Sequence, residues 1–227
     1  MLKERIEEVY EKIEKAALKV SRKKEDIKLL GVTKTVPSET IREAYSLGLR
    51  LFGENKVQEF LEKYEALKDL DIEWHFIGTL QTNKVKYLKD KVKLIHSVDR
   101  KALVDEISKR MGHMDVLIEV NVGDEASKSG VKEQDLKELA EYVLSKSNIT
   151  LKGLMCIPPF FEDKEKVRPF FKKLRNLKEE LEKTFNIKLE ELSMGMSHDF
   201  DIAIEEGATI VRIGTYIFGE RLYSKTV

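Results

Sequence analysis

IKLLGVTKTVPSETIREAYSLGLRLFGENKVQEFLEKYEALK, residues 27–68, reads the same way twice. An apolar run with β-branched members (27–34) is stopped at Pro37, Ser38 stands where a helix can begin, and a helical stretch follows. A second apolar run (49–55) then precedes a helical stretch from Lys56 to Lys68. The alternation continues to the end of the chain. IEWHFIGT (72–79) precedes a short helix around Asn83 to Asp90, KLIHSVD (93–99) precedes Arg100 to Met111, and DVLIEVNV (115–122) is followed past a polar loop by Val131 to Leu144. ITLKGLMCI (149–157) leads past Pro158 and Pro159 to a long charged helix between Glu162 and Phe185. LEELSMGMS (189–197) precedes a short helix near Asp199 to Glu206, and TIVRIGTYIFG (209–219) closes the series.

Strands alternating with helices, with no Asn-Gly hairpin signal between them, predict the α/β class and a closed parallel (β/α)8 TIM barrel. An open doubly wound sheet would carry G-x-G-x-x-G in its first turn, and strand one ends instead in GVTKTVP. Leu2, Ile6, Val9, Ile13, Ala16, Ala17 and Val20 recur at helical spacing, so an extra helix precedes the barrel. No stretch rich in Pro, Gly or Ser divides the chain, which predicts one domain over 1–227.

Composition narrows the function. Lys plus Arg number 41 and Asp plus Glu 41, so there is none of the basic excess expected for a nucleic acid or an acidic membrane as partner. A single Cys excludes a disulfide framework or a Cys-based zinc cluster, and the four His are too scattered to predict a metal site. The first twenty residues are charged throughout, without the apolar core of a secretory signal or a membrane span, so a cytoplasmic location is expected.

In such a barrel the chemistry sits where the strands end. Lys34 ends strand one, where desolvation favours the neutral, nucleophilic amine; the ordinary alternative is a lysine reaching for solvent. Arg212 lies among apolar neighbours in TIVRIGT and needs an acceptor, either a ligand or a carboxylate such as Glu119. Period-two alternation turns it inward together with Gly214. Ser197 precedes a short helix and Gly214-Thr215 sits on strand eight, and the loops after strands seven and eight are the usual phosphate site of this barrel. A reactive lysine, an inward arginine and a phosphate cradle together suit pyridoxal 5′-phosphate, with its aldehyde, pyridine nitrogen and phosphate. A phosphate-binding barrel enzyme without pyridoxal is the weaker reading. Cys156 reads as a small buried hydrophobe.

GVTKTVP (31–37), FGENKVQE (52–59), WHFIGTLQTNK (74–84), HSVDR (96–100), SKSGV (127–131), GLMCIPP (153–159) and LSMGMSHDFDIAIEEGATIVRIGTYIFGER (192–221) closely resemble the pyridoxal phosphate homeostasis protein family. The resemblance implies a barrel like the N-terminal domain of alanine racemase, without that enzyme's second domain. It implies Lys34 as the Schiff-base lysine, Arg212 facing the pyridine nitrogen, and Ser197, Gly214 and Thr215 on the phosphate. Asn55 and His75 would line the ring, and Met194 and Gly195 would shape the same wall through their backbone. The implied role is a carrier that holds and supplies the cofactor, with PLP-dependent apo-enzymes as recipients; a racemase of low activity is the alternative. A cationic Arg212 leaves the pyridine nitrogen unprotonated and the ring a poor electron sink. Tyr216 and His198 depart from the expected pattern beside the phosphate segment, with Tyr216 expected to point away from Thr215's face. Lys84 and Lys128 are motif lysines, either surface structure or transient acceptors. Without the racemases' partner-contacting domain, a monomer is expected.

Overall fold

The computed structural model describes residues 1–126 and 128–220; Ser127 of the SKSGV segment and Arg221 at the end of the last motif lie outside the described residues. Eight parallel strands close a barrel in sequence order. They are β1 (Lys28–Val32), β2 (Leu51–Glu54), β3 (Glu73–Phe76), β4 (Leu94–Val98), β5 (Met114–Glu119), β6 (Ile149–Met155), β7 (Glu191–Ser193) and β8 (Ile210–Ile213). The helices are α1 (Leu2–Lys19), α2 (Ser38–Ser46), α3 (Val57–Ala66), α4 (Lys101–Arg110), α5 (Glu133–Leu144), α6 (Arg168–Phe185), α7 (Phe200–Glu205) and α8 (Thr215–Phe218). The seam is sealed by β1 on β8, with Leu30 beside Arg212 and Gly31 beside Ile213.

Two apolar layers follow from strand alternation. Leu30, Val32, Leu51, Ile77, Leu94, Leu117, Met155 and Ile210 fill the barrel, which is a packed core and not a pore. The opposite strand faces meet the helices in the larger layer. At Gly153 on β6 a Cβ would stand 1.8 Å from the Glu191 carbonyl oxygen, so only glycine lets β6 and β7 approach this closely.

Three elements differ from the sequence expectation. The segment between β3 and β4 is a 3₁₀ helix at Thr82–Leu88. The strand expected over 189–197 keeps only Glu191–Ser193, leaving Met194 to Ser197 as a loop. The run TIVRIGTYIFG is also not one strand: β8 ends at Ile213, Gly214 caps a helix, and α8 starts at Thr215. A continuous apolar run does not tell a buried strand from a buried helical turn. The expectation that Gly214 points inward on the strand is corrected accordingly.

The amphipathic face of α1 is buried against α7 and α8, and two arginines fasten it there. Arg22 donates to the carbonyls of Ile204 and Ala208, both at 2.8 Å, and Arg5 Nε donates to Ile217 O at 2.6 Å. Helix ends leave carbonyls without partners, and these side chains supply donors. The extra helix thus holds the two short helices next to the predicted phosphate segment. Among the described residues no helix is long and apolar enough to cross a membrane.

Candidate functional site

A cavity of about 490 Å³ opens at the mouth of the barrel where the strands end. Lys34, Asn55, Gly195, Ser197, Arg212, Gly214 and Thr215 all line it. Lys34 is half-buried in the turn after β1, which Thr33 O closes by accepting from Val36 N at 2.9 Å. Asn55 follows β2, and its side-chain oxygen is buried without a hydrogen-bond partner. A buried acceptor left unmatched is costly, and here it borders a cavity into which a ligand donor could reach.

Gly195 has φ +99°, and an added Cβ would meet Ala203 Cβ at 2.6 Å. Glycine therefore lets the β7–α7 loop lie against α7 while turning Ser197 toward the cavity. Ser197 Oγ accepts from Tyr216 N at 3.2 Å, which ties the loop after β7 to the first turn of α8. A hydroxyl, two glycines and the start of a helix meet on this wall, a chemistry suited to an anion.

Arg212 is buried, pointing into the barrel as alternation requires. Its acceptors are neutral: Nη1 donates to Ser193 Oγ at 2.7 Å and Nη2 to the Cys156 carbonyl at 2.9 Å. The ion pair with Glu119 considered from sequence does not form, because Glu119 accepts from Ser129 Oγ at 2.8 Å instead. Burial, foremost, lowers the arginine's pKa from its ordinary value, and the acidic groups around it oppose that shift. A guanidinium has five N–H donors, so donors remain beyond the two bonded ones for a ligand in the cavity. Burial raises the carboxyls of Glu119 and Asp199, and pushes the Cys156 thiol up to about 12. Cys156 is therefore inert packing, as its apolar setting predicted.

His75 and Met194 are not at the cavity. Met194 is fully buried, its N–H bonded to Ile210 O at 3.1 Å. His75 faces the barrel interior below, because its strand reaches the cavity only beyond Phe76, at Ile77. Its Nδ1 lies 2.8 Å from His96 Nε2, and His96 Nδ1 lies 2.9 Å from Ser193 Oγ. Its Nε2 lies 3.0 Å from Glu73 Oε2, at the start of β3. One arrangement of protons satisfies every member: Arg212 donates to Ser193, Ser193 to His96, His96 to His75 and His75 to Glu73. A directed chain through the barrel thus joins the buried cation to a half-exposed carboxylate. Burial, foremost, holds both imidazoles below their ordinary pKa, His96 well below; the His75 bond, foremost, lowers Glu73. The sequence signal was two histidines flanked by apolar residues on adjacent strands, in WHF and LIHSV.

The rim holds residues that sequence reasoning did not assign. Ile157, Phe160 and Met196 are exposed apolar groups at the cavity, and Asp199 lines it too, accepting from Met196 N at 2.9 Å. His198 also reaches the rim, where Nε2 meets the carbonyls of Phe161 and Glu162 and the ring lies against Phe160. Tyr216 faces away, its ring edge-on to Phe200 and under Lys12. Lys128 lines the cavity and pairs with Glu125 at 3.3 Å, whereas Lys84 lies over Tyr87, away from the cavity.

A barrel of this topology with its polar residues gathered at one mouth defines a class. The family model described as alanine racemase, N-terminal domain, matches residues 8–222. Within that class the chain belongs to the pyridoxal phosphate homeostasis protein family: a relative of that name from Aquifex aeolicus (strain VF5) is 62% identical over 224 residues, 97% of this chain and 98% of the relative. PipY of Synechococcus elongatus PCC7942, solved with PLP bound, superposes with a TM-score of 0.86 at 32% identity, covering 96% of this chain and all of PipY. Alanine racemase from Corynebacterium glutamicum shares the fold, with a TM-score of 0.70 at 14% identity over 96% of this chain and 61% of the enzyme.

Proposed function

We propose that this chain binds pyridoxal 5′-phosphate on Lys34 and serves to store and supply it, as a carrier and not as a catalyst. The observation that carries the reading is the convergence on one cavity of Lys34, buried Arg212, the Ser197 and Gly214 wall, and the unmatched oxygen of Asn55. These residues fit the group: an amine for an aldehyde, a guanidinium for a ring nitrogen, an anion cradle for a phosphate and an acceptor for a ring hydroxyl. When bound, pyridoxal phosphate supplies an aldehyde that condenses reversibly with an amine, and an aromatic ring that can delocalise electrons.

The residues present favour holding over turning over. Lys34 attaches the cargo and excludes its aldehyde from reaction elsewhere. Arg212 keeps its own protons, so a ring nitrogen facing it stays unprotonated and electron withdrawal is weak. Ser197 and the start of α8 hold the anion. The exposed rim of Ile157, Phe160 and Met196 leaves the cavity open to a recipient, and apo-enzymes that need the cofactor are the proposed recipients. We place the protein in the cytoplasm, acting as a monomer.

Amino acids incubated with the loaded protein in deuterated water test carrier against racemase. The carrier reading expects no Cα deuterium above the level given by free pyridoxal phosphate. Sustained exchange that disappears in Lys34→Ala would establish a racemase-like activity instead.

A further inference from the structure

Behind Lys34 lies a buried charged cluster that touches the cavity at no point. Glu54, at the end of β2, is fully buried, and Lys63 on α3 is nearly so. Lys63 Nζ donates to Glu54 Oε2 at 3.0 Å and to Glu59 Oε2 at 2.6 Å. The same ammonium donates to the backbone carbonyl of Thr33, and the Thr33 hydroxyl bonds Glu54 Oε2. On the other side of Lys34, Thr35 N–H donates to Glu59 Oε2 at 2.6 Å. The residues flanking Lys34 are thus both held by one three-charge group, while the lysine between them reaches the cavity.

Two features say that this group does more than pack. Thr35 is β-branched and has φ +62°, a left-handed conformation that persists only where surrounding bonds enforce it. Glu54 Oε1 is buried without a partner, a cost that an apolar substitute at this position would not carry. Burial outweighs Lys63 and Thr33 in raising the Glu54 pKa, which marks the same cost. A buried ion group is poor value as a stabiliser and well suited to fixing one backbone geometry.

We propose that Lys63, Glu59 and Glu54 are positioning residues that hold the Thr33–Thr35 turn so that the Lys34 amine is presented to the cofactor's aldehyde, and that they set how fast the cofactor is released. The inference rests on Lys34 being the attachment site. Glu59 is partly exposed, so its replacement spares the core. Glu59→Ala removes the acceptor of the Thr35 N–H, whereas Glu59→Gln keeps a side-chain carbonyl for it. Full-length protein loaded with pyridoxal phosphate is diluted, loss of its visible absorbance is followed, and borohydride-fixed label is mapped to individual lysines. The expected result is release about tenfold faster in Glu59→Ala, with label leaving Lys34 for other lysines, and near wild-type behaviour in Glu59→Gln. Lys63→Met should release faster still, and if that variant does not fold the Glu59 pair decides alone. Glu59→Ala releasing at the wild-type rate overturns the inference, as do Ala and Gln variants that are equally fast. Wild type carrying no label on Lys34 overturns the underlying reading instead.

Discussion

Arg212 illustrates how a buried charge can be accommodated without an ion pair. Its neutral acceptors hand the polarity on through Ser193, His96 and His75 to Glu73. Both histidines have folded-state pKa values below their ordinary value of about 6.5. Between the depressed and ordinary values the unfolded chain binds more protons, so their contribution is present above about pH 6.5 and is lost as pH falls below it. Glu54, Glu119 and Asp199 act oppositely: their raised values let the native state take protons first, stabilising it as pH falls. The diagnostic is therefore the difference between wild type and variant. Thermal unfolding between about pH 7 and 5 should show a weaker loss of stability on acidification in His75→Gln or His96→Gln, each group contributing at most about 1.4 kcal/mol per pH unit. Parallel slopes in all three proteins would show that the pair is not held neutral. The residue types at the site were legible because lysine at a strand end and arginine in an apolar strand are conspicuous. The placement of His75 was not, since only Phe76 separates it from Ile77, where the strand reaches the cavity.

Among the elements, the alternation of apolar runs and helical stretches was readable throughout, because the core face of each element repeats with its own period. Element ends were less readable. Met194 to Ser197 and Gly214 to Thr215 continue apolar runs, yet they leave the strands where the Gly195 backbone turns left-handed and Gly214 caps α8. These departures line the cavity on the side proposed to hold the phosphate, so the positions that leave the strand pattern are those of the candidate site. Gly195→Ala tests this directly. A methyl group at φ +99° against Ala203 and Phe200 should cost roughly 2–4 kcal/mol of stability and weaken binding of pyridoxal phosphate by displacing Ser197. Unfolding in denaturant and a binding titration read the two effects. Wild-type affinity in a folded variant would show that the wall does not depend on this turn.

For the whole molecule, Arg5 on α1 and Arg22 just after it bond to α8 and α7, so the two ends of the described chain meet beside the wall proposed to hold the phosphate. The monomer proposed above is tested by its mass in solution. Sedimentation across a wide concentration range should give one species of 26.3 kDa. A concentration-independent dimer would mean that a second chain contributes to the assembly that carries the cofactor.

Lys34 is proposed to hold pyridoxal phosphate covalently in this cavity. Borohydride reduction of the protein mixed with pyridoxal phosphate, followed by peptide mass mapping in wild type and Lys34→Ala, tests it most directly. The expected result is a single reduced adduct on the peptide containing Lys34, absent from the variant. Label spread over surface lysines, or equal label in Lys34→Ala, would contradict it.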